Sequence, residues 1–291
     1  MFTLAHLSDL HLATPPRLAQ LLSKRGLGYI NWLRKRNKIH RPEVLDAITR
    51  DLTAQGFDHL AVTGDLVNLS QPDEYARARR WLQTVGQPTD VTAIPGNHDV
   101  YVRGVEPAPG EFWADYMRGD DGLQRFPFIR RRGQVALIAL SSAVPSAPFL
   151  ATGRLGAGQL SRLADALDQT RGLFRLVLIH HPPVSPLRRY LRRLTDAPAL
   201  RGVLAAKGAE LLIHGHDHRR ALIWLDGPQG TKIPAVGVPS ASAAAPPGGE
   251  DSAGYNLYRI DRTAGGWSCE MIERQRGADA AIGEIARQAL G

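Results

Sequence analysis

The chain has 291 residues, 43% of them hydrophobic, which is enough to bury one large core as a single domain spanning 1–291. Its one cysteine, Cys269, excludes an intramolecular disulfide and a cysteine-based zinc knuckle, so any metal must be held by His, Asp, Glu or Asn. A formal net charge of +8 and a pI near 10.0 favour an anionic partner such as nucleic acid, acidic lipid headgroups or a phosphorylated substrate.

Residues 2–8 read as a buried strand that stops at Asp9 and His11, and short apolar runs at 59–63 and 91–94 also end in polar residues. Between them, 42–55 carries Val44, Leu45, Ile48 and Leu52 at helical spacing, with Pro42 in the first turn and Gly56 just past the end. Residues 72–85, closed by Gly86, repeat that pattern. Further strands are expected at 134–140, 175–179 and 210–213 and a helix at 159–168; two of these strands run into histidines. From 221 onward the pattern turns strand-rich, at 221–225, 232–238, 255–260 and 267–272, with Gly and Pro turns between. Residues 243–253, rich in Ala, Pro and Gly, predict a mobile loop, and 278–290 a terminal helix. This alternation argues for an α/β layered fold with reactive groups on loops at one sheet edge. No run approaches the roughly 18 apolar residues of a membrane-spanning helix, and residues 1–7 lack a signal-peptide pattern. The expectation is a cytoplasmic protein, bound at most peripherally to the inner face of a membrane.

The polar strand ends carry the chemistry. Asp9 and His11 stand two apart, so on an extended backbone both side chains project to one side and can grip one ion. Gly64-Asp65 follows the second strand, Gly96-Asn97-His98-Asp99 the third, His180-His181 a later one, and His214-Gly215-His216-Asp217-His218 another. Carboxylate, amide and imidazole donors without thiolate suit manganese, iron or zinc. Two such ions about 3.5–4 Å apart can clamp a phosphoryl oxygen and lower the pKa of a water.

Taken in order, Ser8-Asp9-Leu10-His11, Gly64-Asp65, Gly96-Asn97-His98-Asp99, His180-His181 and Gly215-His216-Asp217-His218 resemble the calcineurin-like metallophosphoesterase superfamily. The resemblance implies two mixed β-sheets sandwiched between helices in four layers, and two divalent ions, manganese first. It implies that Asp9, His11 and His218 hold one ion, that Asn97, His180 and His216 hold the other, and that Asp65 bridges them. His98 is then the donor to the leaving oxygen. Relatives often pair that histidine with an Asp three residues after the bridging one, but this chain has Asn68 there. An amide carbonyl orients an imidazole without stabilising imidazolium, so a good leaving group is expected. His181 and His214 read as supports beside better-placed ligands, and His6 as a satisfied core histidine.

Residues 15–41 form a basic insertion. Arg17, Lys24, Arg25, Arg34, Lys35, Arg36, Lys38 and Arg41 are interleaved with Leu18, Leu21, Leu22, Leu27, Tyr29, Ile30, Trp32 and Leu33, and no acidic residue lies between 17 and 41. Such amphipathic helices lie on an anionic membrane, wrap an acyl chain, or pack as a lid. Arg188, Arg189, Arg192 and Trp32 are the candidate substrate contacts, with Arg193 beside them, whereas Arg130-Arg131-Arg132 reads as a surface turn. Insertion and metal motifs together resemble the branch of the superfamily that cleaves UDP-2,3-diacylglucosamine to UMP and an acylated glucosamine 1-phosphate. Class III cyclic-nucleotide phosphodiesterases share the same motifs and are the alternative. Nucleic acid ranks below both, because no basic stretch carries a recognised nucleic-acid module.

Overall fold

The computed structural model describes residues 1–14, 39–147, 149–244 and 251–291. The α/β expectation is borne out: two mixed six-stranded sheets lie face to face with helices outside them. The first sheet has the order β12-β11-β10-β1-β2-β3. It is built from β1 (Phe2–Leu7), β2 (His59–Val62), β3 (Val91–Ala93), β10 (Gly254–Thr263), β11 (Gly266–Arg276) and β12 (Ile282–Ala289). The second, in the order β4-β5-β6-β7-β9-β8, uses β4 (Phe128–Arg132), β5 (Val135–Ala139), β6 (Phe174–Leu178), β7 (Leu211–His214), β8 (Ala221–Asp226) and β9 (Lys232–Gly237). β1, β2 and β3 run parallel, as do β5, β6, β7 and β9, while the outer strands pair antiparallel.

Parallel strands covered on both faces need apolar residues at every position, and the period of two then divides them between two cores. In β6, Leu176 and Leu178 join the core between the sheets, while Val177 and the following Ile179 face helices α4 (Ala157–Gln169) and α5 (Ala197–Lys207). Helix α1 (Pro42–Gln55) buries Val44, Leu45, Ile48 and Leu52; Pro42 starts it, and Gly56 ends it at φ 70°. Helix α2 (Pro72–Val85) starts with the Glu74 carboxylate accepting main-chain N–H groups of Leu69 and Gln71 at 2.8 and 3.1 Å. A short helix, α3 (Ala108–Trp113), inserts the fully buried Trp113 against Tyr75 of α2.

Two expectations are corrected. Residues 278–290 were expected to form a helix, yet Ile282–Ala289 is the edge strand β12, laid antiparallel on β11. Its helix-forming side chains are mostly exposed, and the main-chain ladder to β11 overrides their local preference. Arg130 does not sit in a surface turn. It lies in β4 at 3% exposure and donates to the carbonyls of Pro88, Val91, Asp115 and Arg118 at 2.6, 2.6, 2.7 and 2.8 Å. Because β3 and β4 are edge strands of different sheets, this guanidinium ties the two sheets together along one side. Burial lowers its pKa to about 10, so it remains charged near neutrality. Of the 243–253 loop, 245–250 lie outside the described residues, as does 15–38 of the insertion.

Arg130→Met keeps much of the volume but strips four buried or half-buried carbonyls of their donor, and should lower unfolding stability by about 2–4 kcal/mol in a urea titration. Arg131→Ala, on the exposed side of the same strand, should stay within about 0.5 kcal/mol.

Candidate metal centre

The C-terminal ends of the parallel strands of both sheets meet at one edge. From the first sheet, β1 leads to Asp9 and His11, β2 to Asp65, and β3 to Asn97 and His98; from the second, β6 leads to His180, and β7 to His216 and His218. The loops continue the strand pairing, with Asp9 N–H donating to Gly64 O at 2.9 Å and His11 N–H to Asp65 O at 3.0 Å. Asp9 and His11 do not reach the centre from an extended backbone, as their spacing had suggested. They sit at φ 57° and 48°, and Asp65, His216 and His218 at 53°, 70° and 52°, all in the left-handed region. Tight turns at five candidate ligands aim the side chains back across the sheet edge, and the surrounding hydrogen bonds offset the strain.

Two glycines make the close approach possible. A Cβ at Gly96 would lie 2.2 Å from Asp65 Oδ1, and one at Gly215 would lie 1.9 Å from Ser8 Oγ and 2.5 Å from Asp9 Oδ2.

The donor atoms fall into two groups that share Asp65. In the first, His11 Nε2 lies 3.0 Å from His218 Nε2, 3.7 Å from Asp9 Oδ1 and 4.0 Å from Asp65 Oδ2, and His218 Nε2 is 3.2 Å from Asp9 Oδ1. In the second, His180 Nε2 lies 3.4 Å from Asp65 Oδ2, 3.3 Å from Asn97 Oδ1 and 3.3 Å from His216 Nδ1. Such clusters of His and Asp could hold metal ions. The fit is supported by Asp9 Oδ1, which is buried without a hydrogen-bond donor among the described residues. It is supported again by the remaining ring nitrogens. His180 Nδ1 donates to Thr63 O at 2.7 Å and His216 Nε2 to Arg192 O at 2.8 Å. A carbonyl only accepts, so these bonds fix the tautomers and turn the lone pairs of His180 Nε2 and His216 Nδ1 inward.

Electrostatics divide the histidines. Burial, with neighbouring imidazoles, holds His11 and His216 well below the usual histidine range. Burial also opposes charge on His180, but the carboxylates of Asp65 and Asp9 outweigh it and raise this ring to about 9. Asp65 is correspondingly held low despite its burial, chiefly by His180 and His98.

His98 donates its main-chain N–H to Asp65 Oδ1 at 2.7 Å, and its Nδ1 lies 2.6 Å from the main-chain carbonyl of Asn68. The ring was expected to be oriented by the Asn68 side chain; the backbone at that position orients it instead. His181 stands behind the second group, bonded to Ser142 Oγ at 2.8 Å and Ala151 O at 3.2 Å, with its ring 4.3 Å from that of His216. His214 is buried nearby and bonds the carbonyl of Gly215 at 3.1 Å. His6 lies in the core, 2.9 Å from Thr63 Oγ1 and 3.4 Å from the Tyr258 hydroxyl.

Of the expected substrate contacts, Trp32 and the side chain of Arg188 lie outside the described residues. Arg189 is ion-paired with Asp217, between His216 and His218, and the exposed Arg192 reaches the centre through its carbonyl. Two residues gain roles that the sequence reading had not given them. Asp99 accepts from Gly96 N at 2.7 Å and Val67 N at 2.9 Å, locking the loops after β2 and β3 together. Burial, then the Asp65 charge, keeps its carboxyl well above the usual carboxylate range. Its place directly after Asn97 and His98 was the available signal. His40 stands with its ring 4.3 Å from that of His11, and nothing local in its sequence marked it.

A calcineurin-like phosphoesterase family model matches residues 2–220. A Synechococcus protein named as a probable cyclic nucleotide phosphodiesterase is 29% identical over 223 residues, 75% of this chain and 73% of that protein. A similarly named protein of Rhodococcus erythropolis is 27% identical over 225 residues, 74% of this chain and 64% of that one. Among solved structures, a purple acid phosphatase from yellow lupin (Lupinus luteus) seeds shares the fold, with a TM-score of 0.60 and 12% identity over 99% of this chain and 53% of the lupin chain. The ordered motifs, the two sheets and the match across most of the sequence agree: the chain belongs to the calcineurin-like phosphoesterase family, and it is a metal-dependent phosphoester hydrolase.

Proposed function

We propose that the chain hydrolyses nucleotide phosphodiester bonds with two divalent ions, one held by Asp9, His11 and His218, the other by Asn97, His180 and His216, with Asp65 shared. The observation that carries this reading is the position of Asp65 Oδ2, 4.0 Å from His11 Nε2 in one group and 3.4 Å from His180 Nε2 in the other. Bound ions would polarise the phosphoryl oxygens and supply the water nucleophile at neutral pH. The nitrogen and oxygen donors suit manganese, with iron or zinc as alternatives.

The protein's own contribution is orientation and proton handling. Thr63 and Arg192 carbonyls hold two imidazoles in the ligating tautomer. The Asn68 carbonyl accepts the hydrogen bond from His98 Nδ1–H, so the face toward the substrate is Nε2, which acts as donor only when the ring is imidazolium. A carbonyl partner stabilises imidazolium less than a carboxylate does, which suits leaving groups that depart without full protonation.

Cyclic nucleotides rank first as substrates, on the names of the two relatives. A lipid-linked nucleotide such as UDP-2,3-diacylglucosamine is the second reading, which would place the chain peripherally on a membrane. It is supported by Leu187, Tyr190 and Leu191, exposed at 87%, 53% and 54% among arginines on the segment that supplies the Arg192 carbonyl. Phe149 is 84% exposed on the neighbouring loop, which Ala151 N–H joins to Leu191 O at 3.0 Å. Among the described residues, no helix is long and apolar enough to cross a membrane.

The deciding assay offers manganese-loaded protein 3′,5′-cyclic AMP and, in mixed micelles, UDP-2,3-diacylglucosamine, with Asp65→Asn as the inactive control. AMP release that the control abolishes supports the first reading, and UMP release the second; failure of both, in protein that cleaves no phosphodiester, would reject the proposal. His98→Ala should cost about 100-fold on an alkyl phosphodiester and less than about tenfold on a nitrophenyl ester. Equal losses on the two would remove the proton-donor role. Metal loading should also be pH-dependent. A ligating His180 must lose the proton that it holds below a pKa of about 9, so affinity should rise with pH, about tenfold per unit between pH 6.5 and 8.5. His180 should contribute about one proton per protein on loading, whereas His11 and His216, already neutral, contribute none. Competition with a chelator across that range, together with a proton-release titration, checks both.

A further inference from the structure

His40 closes the basic insertion, far in sequence from every motif at the centre, yet it is built into that centre. The segment around it pairs antiparallel with the loop after β9: Arg41 N–H donates to Ser242 O at 2.9 Å, and Ala244 N–H donates to Ile39 O at 2.8 Å. His40 Nδ1 lies 2.8 Å from Ser242 Oγ and 3.3 Å from Ser240 Oγ, and Ser240 Oγ donates to the carbonyl of Asp9 at 2.7 Å. Since a carbonyl only accepts, the Ser240 proton is committed to Asp9, and Ser240 Oγ faces its neighbours as an acceptor. The relay completes itself when Ser242 donates to Ser240 Oγ, 3.3 Å away, and His40 Nδ1–H donates to Ser242. The lone pair of the neutral ring is then at Nε2. The ring centroid is 4.3 Å from that of His11 and 5.4 Å from that of His218, and each of the three rings offers one nitrogen within 4.8 Å of the other two.

We propose that His40 is a further metal-ligating residue, which joins Asp9, His11 and His218 around one ion through Nε2. The inference rests on the two-ion reading above and extends it. Three imidazoles on one ion favour a borderline transition metal over magnesium or calcium. The insertion is thereby fastened to the centre at its C-terminal end, so metal loading and the seating of residues 39–41 are coupled.

The test loads wild type, His40→Ala and Ser242→Ala with cobalt(II), reading stoichiometry and affinity by chelator competition and the ligand field by visible absorption. His40→Ala should weaken one of the two ions by at least about tenfold and alter its absorption while sparing the other. Ser242→Ala, which keeps the ring but releases its anchor, should weaken the same ion by less. Wild-type affinities and an unchanged spectrum in His40→Ala would overturn the proposal. So would a raised KM with normal metal binding, which would make His40 a substrate contact. Should wild type itself bind fewer than two ions, the two-ion reading fails first, an outcome distinct from either.

Discussion

The Asp65 carboxylate stands where the two sheets meet, and the geometry of the whole edge converges on it. Its Oδ1 is fixed by the main-chain N–H of His98, on the loop after β3, while Oδ2 faces His180 Nε2, on the loop after β6 in the other sheet. His180 in turn reaches back through Nδ1 to the carbonyl of Thr63, two residues before Asp65. The result is a closed circuit between sheets, and any change in their separation would be felt at once in the distance between carboxylate and imidazole. Arg130 holds the same two sheets together from β4 to the carbonyl of Val91, and so contributes to that separation from a buried position outside the centre.

That circuit explains why the turns are strained where they are. Parallel strands deliver their chains to one edge pointing outward, whereas the candidate donors point across it. Left-handed backbone at Asp9, His11, Asp65, His216 and His218 makes the reversal within one residue each time. Such conformations persist only when their surroundings over-determine them. Here the carboxylate of Asp9 accepts His216 N–H at 2.9 Å, Asp99 clamps two loops, and Ser240 holds the carbonyl of Asp9. The same side chains and their neighbours thus position the donors and stabilise the turns.

How much of this was legible in the sequence depends on the range of the interaction concerned. Strands ending in Asp, Asn and His, and helices opening on Pro42 or Pro72 and closing on glycine, are local patterns, and β1, β2, β3, β6, β7, α1 and α2 followed from them. What was misread depends on long-range pairing. Residues 282–289 have helix-forming side chains but a strand's partner, and that partner, β11, is a property of the assembled sheet. Arg130 looks like any member of a basic run until four carbonyls surround it, all of them on residues before 120. The departure at Asn68 was visible, but that its backbone, rather than its amide, would meet His98 was not. His40 is coupled to Ser242 across 202 residues, and the basic and apolar pattern around it pointed elsewhere.

The charge balance of the site gives these choices a common logic. Most candidate donors carry no negative charge: the imidazoles, of which His11 and His216 are pulled toward the uncharged form by burial and His180 must release its proton to ligate, and the amide of Asn97. Only Asp9 and Asp65 bring negative charge directly to the two groups. Asp99 is held well above the usual carboxylate range, and Asp217 is engaged by Arg189, so neither adds a free anion to the edge. Two divalent ions bound by such a set would keep much of their charge, whereas a carboxylate-rich shell would neutralise it. A phosphate diester is anionic before and after hydrolysis, and the developing charge in the transition state falls on its oxygens. A centre built from buried neutral donors therefore retains the field that the substrate and transition state require, and the chain's overall net charge of +8 acts on the approaching substrate in the same direction.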